Sequence, residues 1–264
     1  MINYTEGVTR LMQDIIARTP RLSFIDLNEV IVFARFGRSD AEGAYATCHC
    51  LTLPESEPGY YFWKDRETGQ LTRRSPWFVT KSPQVTVGTK QIKYLISFVL
   101  PRFSDQTLEG SRKADLYDSN DTWLAKLDTV IHELYHIDPA ATGIRAIENQ
   151  NGSRSYRTHG PTFYEDVADM VREYLATGPD PALYDFLKYD FAQLTELYGG
   201  VVATTFRNFP SFPQRYIQAV DLPTSDPCVK VEPLKASSQP PQYTERDLYI
   251  RQFTGDRSRR VGAA

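Results

Sequence analysis

Residues 120–137 read NDTWLAKLDTVIHELYHI, and their spacing is the least ambiguous in the chain. Trp123, Leu127, Val130 and Leu134 recur at helical intervals and form one apolar stripe. Ser119 or Asn120 can cap the start, and Asp138-Pro139 ends the run, since the residue before a proline resists the α region. The spacing predicts a helix over 120–137. At about 100° per residue, His132 and His136 fall on the side away from the stripe, with the small Ala125 and Thr129 sharing their face. Those small side chains should leave room above the histidines for a ligand or a neighbouring strand.

His132-Glu133-Leu134-Tyr135-His136 is an H-E-x-x-H motif, and its logic is geometric. Residues four apart share a helix face, so both imidazoles can reach one tetrahedral ion. Glu133 projects about 100° round the helix from His132, where it can take a proton from a water that the ion acidifies. The stripe argues against two core histidines, and the complete motif argues against two idle surface ones. Zinc is the expected cofactor, with His132 and His136 as ligands and Glu133 as general base.

A catalytic zinc takes three protein ligands, and the chain has 4 histidines. Beyond the motif there remain His49 and His159. His159 lies 23 positions after His136, in Thr158-His159-Gly160-Pro161-Thr162-Phe163, where Gly160 as cap and Pro161 at the first position predict a helix over 161–176. Phe163, Val167, Met170, Val171 and Tyr174 give that helix its apolar face. Glu165, with Asp166 and Asp169 behind it, is the rival third ligand, because carboxylate suits zinc as well as imidazole does. For a donor to a developing oxyanion, Tyr156, Arg157 and Tyr164 flank His159.

Upstream, a helix is expected over 6–18, from Val8, Leu11, Met12, Ile15 and Ile16, stopped by Pro20. Strands are expected at Phe24-Ile25, Val30 to Phe33, Ala44 to Leu53 and Gln91 to Leu100, with an exposed loop or hairpin over 54–75. Within Ala44 to Leu53, Cys48 and Cys50 share one strand face and His49 the other, so Cys48-His49-Cys50 reads as buried strand rather than a second metal site. Downstream, a third helix is expected over 181–198, ended by Gly199-Gly200, then irregular packing over 201–220. From Leu222 the chain turns polar, with Pro240-Pro241 and an Arg-rich run at 257–260. The division expected is one domain over 1–220 and a weakly ordered tail over 221–264.

The formal net charge is -3, from 30 basic and 33 acidic side chains, which gives no reason to expect nucleic acid as a partner. No apolar run approaches the ~20 residues that span a bilayer, and the first twenty residues lack a secretory pattern. Cys48, Cys50 and Cys228 make no disulfide framework. A cytoplasmic chain with no membrane partner is the expectation.

His132 to His136, extended as HELYHIDP, followed by His159-Gly160-Pro161-Thr162-Phe163, resembles the SprT-like zincins and, more closely, the phage-type metallopeptidases. The resemblance covers roughly residues 24–175 and is weak outside the two motifs. It implies an α+β, zincin-like fold in which a mixed β-sheet packs on the H-E-x-x-H helix and a second helix completes the metal site. It also implies His159 as third ligand, Glu133 as catalytic base, and a protein or peptide substrate. The chain departs from many SprT-like members in having no C-terminal cysteine pairs and a longer insert between His136 and His159. Two other classes stay open: a deformylase-like amidase using Cys48 or Cys50 as a ligand, and a non-catalytic module built on zinc.

Overall fold

The computed structural model describes residues 1–51, 61–64, 71–75, 79–81, 84–108, 111–117, 122–140, 143–145, 147–148, 154–155, 159–207, 216–217 and 242–255. Its centre is the strand Tyr94–Pro101, buried along its whole length. A run such as YLISFVLP belongs in the middle of a sheet, because both faces and both edges of the strand are covered. Val30–Gly37 lies parallel to it, pairing Val30 with Tyr94 through Gly37 with Pro101. Ala46–Cys50 lies antiparallel on the other side, pairing Ala46 with Phe98 and Cys50 with Tyr94. The sheet is mixed, as expected; of the predicted strand over 44–53, Ala46–Cys50 is strand and residues 52–53 lie outside the described residues.

Side-chain alternation splits this sheet into two faces. Val30, Val32, Ala34, Ala46, Cys50, Tyr94, Ile96, Phe98 and Leu100 enter the main core with the helices. Ile31, Phe33 and Leu95 point the other way, into a smaller cluster with Leu51, Val85, Ile92 and Phe206. Helix α1 (Tyr4–Arg18) is capped by Asn3, whose side chain accepts the Glu6 amide, and buries Tyr4, Val8, Leu11, Met12 and Ile15. Helix α2 (Thr122–Tyr135) packs on α1 and on the strand Ala46–Cys50, and helix α3 (Phe163–Ala176) packs on α2. The architecture is α+β, with helices on one face of the main sheet.

Phe24-Ile25, expected as a strand, lies in a turn and irregular chain, and three longer expectations also change. The helix predicted over 181–198 is two 3₁₀ turns (Pro181–Leu183 and Asp185–Lys188) followed by α4 (Phe191–Tyr198). Asp190 restarts the chain there: its carboxylate takes the Gln193 amide, and the Gln193 side chain returns to the Asp190 amide. Gly199, at φ 69°, then supplies the left-handed stop that was foreseen. Residues 201–220 were expected to be irregular, yet Val201–Phe206 is a strand, parallel to Ile2–Asn3 and antiparallel to Leu248–Phe253. Within the stretch expected to be a weak tail, Leu248–Phe253 therefore belongs to a sheet, and Gln242–Thr244 pairs in parallel with Gln84–Val87. Tyr61–Lys64 and Leu71–Ser75 pair antiparallel, which accords with a hairpin in the 54–75 segment. The Arg-rich run at 257–260 lies outside the described residues.

No helix among the described residues is long and apolar enough to cross a membrane.

Candidate metal centre

The site begins at the last turn of α2. His132 stands inside the helix, and His136 follows its final residue while keeping the helical bond from its amide to the His132 carbonyl (3.2 Å). The Arg145 amide closes the His136 carbonyl at 2.7 Å, and the Arg145 Nε donates to the Tyr135 carbonyl at 2.7 Å. A guanidinium at these otherwise orphaned carbonyls also suits the negative end of the helix dipole. Position and orientation of His136 are thus set by backbone, not by a flexible stem.

His159 arrives from the other side, just ahead of α3. The helix begins at Phe163, two residues later than expected, because Gly160, Pro161 and Thr162 form a turn in which the Phe163 amide reaches the Gly160 carbonyl (3.3 Å). Gly160 is therefore not the cap, and Thr162, which takes that place, makes no side-chain capping bond. The outcome for His159 is the one anticipated: its ring is carried to the histidine face of α2.

The three imidazoles converge through their Nε2 atoms. His159 Nε2 lies 3.1 Å from His132 Nε2 and 3.2 Å from His136 Nε2. Nitrogens that share a tetrahedral zinc at 2.0–2.1 Å sit about 3.3 Å apart, so both His159 distances are close to what such an ion requires. Among the described residues this is the group of three or more side chains close enough to hold a metal. Cys48 and Cys50 lie outside it. Glu165 is exposed on α3 and also lies outside it, while Asp166 accepts from the Thr162 hydroxyl and Asp169 pairs with Arg172.

Burial keeps the rings of His132 and His136 neutral. It pushes His132 down to about 2, with further lowering by His136, Lys113 and His159. It pushes His136 down to about 3, helped by His159 and Arg145. Neutral imidazole is the form that binds metal.

The Nδ1 atoms of His132 and His136 are buried with no hydrogen-bond partner among the described residues. Metal-binding histidines are usually oriented by an acceptor at the second nitrogen. Here packing does that work. The Phe163 ring lies 4.9 Å from the ring of His132, 5.0 Å from that of His136 and 4.7 Å from that of His159, centre to centre. Phe163 was read from sequence only as a helix anchor; it is also the floor on which all three imidazoles rest. A stripe of apolar residues carries no mark to separate these two roles. Tyr164 stacks on His159 at 5.5 Å and lies 5.9 Å from His132, whereas Tyr156 and Arg157 are outside the described residues.

Glu133 is buried, 5% exposed, beside the edge strand of the sheet. Its carboxylate accepts the backbone amide of Cys48. The register explains how that amide is free to do so. The Val99 amide donates to the Tyr45 carbonyl (2.9 Å) and the Leu51 amide to the Lys93 carbonyl (2.8 Å), so odd-numbered residues of this strand bond inward to Tyr94–Pro101. The backbone groups of Ala46, Cys48 and Cys50 point outward, away from Tyr94–Pro101. Among the described residues Ala46–Cys50 is an edge strand, and Glu133 meets its outer rim. Burial pushes the Glu133 carboxyl up to about 8, against lowering by the Cys48 amide, Lys113 and Arg35.

Cys48 and Cys50 are thiols outside any disulfide, on the helix-facing side, and burial pushes the Cys48 thiol up. His49 points to the other face, with its Nε2 3.4 Å from the Ser97 hydroxyl. The alternation expected for this strand is the one observed. The sequence reading placed the histidines on a face with open room over Ala125 and Thr129. In the structure that room is filled: Ala125 and Thr129 are buried, and Lys113 lies across them.

Comparison of the chain with protein-family models, with curated proteins and with solved structures finds no match.

Proposed function

We propose that this chain is a zinc-dependent hydrolase of peptide bonds, in line with its resemblance to the SprT-like zincins. The observation that carries the proposal is the triangle of Nε2 atoms from His132, His136 and His159, with Glu133 one residue from the first of them. Three imidazole nitrogens fit zinc in number, kind and spacing, and leave one tetrahedral position for chemistry. Zinc bound there would acidify water and polarise a carbonyl group. Glu133 would take the proton from the attacking water and deliver it to the departing amine nitrogen. The Cys48 amide holds that carboxylate in place, and a shifted acidity near neutral pH suits a group that must both accept and give a proton.

A polypeptide substrate is favoured by the neighbouring edge strand. An extended chain laid along Ala46–Cys50 would meet outward-pointing backbone groups in the same row as the Cys48 amide. The deformylase-like alternative needs a cysteine ligand, and the cysteines of this strand stand apart from the histidine group. Zinc-loaded protein should therefore cleave unfolded polypeptide, and Glu133→Gln should keep its zinc while losing about 10²–10⁴-fold in rate. Full activity in that variant would remove Glu133 from the mechanism, and an inactive zinc-loaded wild type would remove the peptidase reading.

A further inference from the structure

Arg145 has more hydrogen-bonding capacity than the end of α2 uses. Its Nε donates to the Tyr135 carbonyl and its amide to the His136 carbonyl, each at 2.7 Å. An antiparallel bridge between Ile137 and Ile144 folds this segment back on the helix end. The guanidinium lies over the Tyr135 ring, 4.3 Å from its centre, and stands 5.8 Å from the centre of the Phe24 ring. Ring contact and the Nε bond together hold the planar fork in one orientation. Its two terminal nitrogens make no hydrogen bond or ion pair with the described residues. Asp166, the carboxylate bonded to Tyr135, is matched instead by Arg21 at 3.8 Å. Arg145 is half-buried and Phe24 beside it is 38% exposed, so the fork opens to the surface.

The fork also stands beside the three-histidine centre. Tyr135 packs at 5.1 Å on Phe163, the ring on which all three imidazoles rest. The Tyr94 hydroxyl donates to the Gly143 carbonyl at 2.8 Å, and Tyr94 pairs with Cys50 in the sheet. Residues 143–145 are thereby tied to the Cys50 end of the edge strand. An extended chain lying along Ala46–Cys50, with its reacting carbonyl near Glu133 and the Cys48 amide, runs on towards Arg145. Cys50 is about 7 Å beyond Cys48 at strand spacing, so the group that meets the fork lies about two to four residues from the cut. A fixed, unpaired guanidinium binds a carboxylate through two parallel hydrogen bonds.

We infer that Arg145 is a specificity residue that binds a carboxylate of the substrate and so selects where the chain is cut. A terminal carboxylate reaches it only if the substrate runs parallel to Ala46–Cys50, whereas an Asp or Glu side chain reaches it in either direction. The inference rests on the peptidase reading for the polypeptide to which that carboxylate belongs.

Arg145→Gln separates recognition from support. The glutamine Nε2 takes the place of the arginine Nε and can keep the bond to the Tyr135 carbonyl, while the fork and the charge are lost. Zinc-loaded full-length wild type and variant are given short unstructured peptides in matched pairs, free acid against amide and Glu against Gln near the cut. The wild type should favour the carboxylate member of one pair about 10–100-fold in kcat/KM, chiefly through KM, the range for charge-assisted hydrogen bonds. Preference in the acid–amide pair assigns a terminal carboxylate; preference in the Glu–Gln pair assigns an acidic side chain. In Arg145→Gln the ratio should fall to within about threefold of one, with zinc affinity and melting temperature retained. Arg145→Lys, which keeps the charge without the fork, should hold an intermediate ratio, and a ratio as low as that of Arg145→Gln would contradict recognition of charge. A wild type without preference, or a variant with the same preference, overturns the inference. So does an Arg145→Gln protein that slows both members of each pair alike, since Arg145 then only supports the helix end. Fluorescence anisotropy of the labelled peptides reads binding without turnover. If the wild type cleaves no peptide yet binds the carboxylate member more tightly, and Arg145→Gln does not, the peptidase reading fails and the carboxylate site stands.

Discussion

Glu133 is the residue on which chemistry and stability can be read separately. In the metal-free protein its carboxyl is raised from the usual 4.5 to about 8, so the folded state keeps a proton that the unfolded chain releases. The sign follows: its contribution to folding is lost progressively as pH rises from 4.5 towards 8. Metal-free Glu133→Gln should accordingly gain stability over the wild type at pH 8, with the gap closing below pH 4.5, as read by urea unfolding at several pH values. Zinc next to the carboxyl reverses the balance, so zinc uptake at pH 7 should release about one proton fewer in Glu133→Gln than in the wild type. Calorimetry in buffers of different ionisation heat counts those protons. Phe163→Leu should weaken zinc binding about 10–100-fold, in the range of a lost orienting contact, because all three imidazoles lean on that ring. His132, Glu133 and His136 were legible in sequence because helix geometry ties their spacing to a single face. His159 was legible as a candidate through residue type and the resemblance. The role of Phe163 was not, since it depends on which distant segments meet, and local periodicity says nothing about that.

Helices with one clear stripe were read within two residues of their bounds. The helix predicted over 120–137 is Thr122–Tyr135, and Leu127, at its centre, is fully buried. Leu127→Ala should cost about 2–5 kcal/mol by chemical denaturation, the range for an apolar core side chain whose cavity relaxes only in part. The stretch 181–198 was misread as one helix because its apolar residues fit helical spacing throughout. Asp190 and Gln193 make a capping box that starts a new helix instead, and Asp190→Ala should cost about 0.5–2 kcal/mol. Val201–Phe206 was missed for a different reason. VVATTF is short and lies next to glycines and prolines, and its identity as a strand comes from partners about 200 and 50 residues away in sequence, at Ile2–Asn3 and Leu248–Phe253.

At the scale of the whole molecule, the far end of the chain returns to the near end. Leu248–Phe253 pairs with Val201–Phe206, which pairs with Ile2–Asn3, and Phe253 joins the same core as α1 and α2. Composition hid this, because the polar stretch before residue 242 dominates the last fifth of the chain. The candidate metal centre likewise joins parts of the chain distant in sequence: α2, the turn before α3, and the edge strand Ala46–Cys50. An ion that binds only this assembled form must stabilise it, by about 2.7 kcal/mol when free zinc is a hundredfold above its dissociation constant. Chelation should lower the melting temperature of the wild type and leave that of a metal-free His159→Ala variant unchanged. The most direct test of the central claim is X-ray absorption at the zinc edge on the zinc-loaded chain. One ion per chain, with three imidazole nitrogens at about 2.0 Å and no sulfur, is the predicted result. Sulfur at about 2.3 Å, or a chain that takes up no zinc, would contradict it.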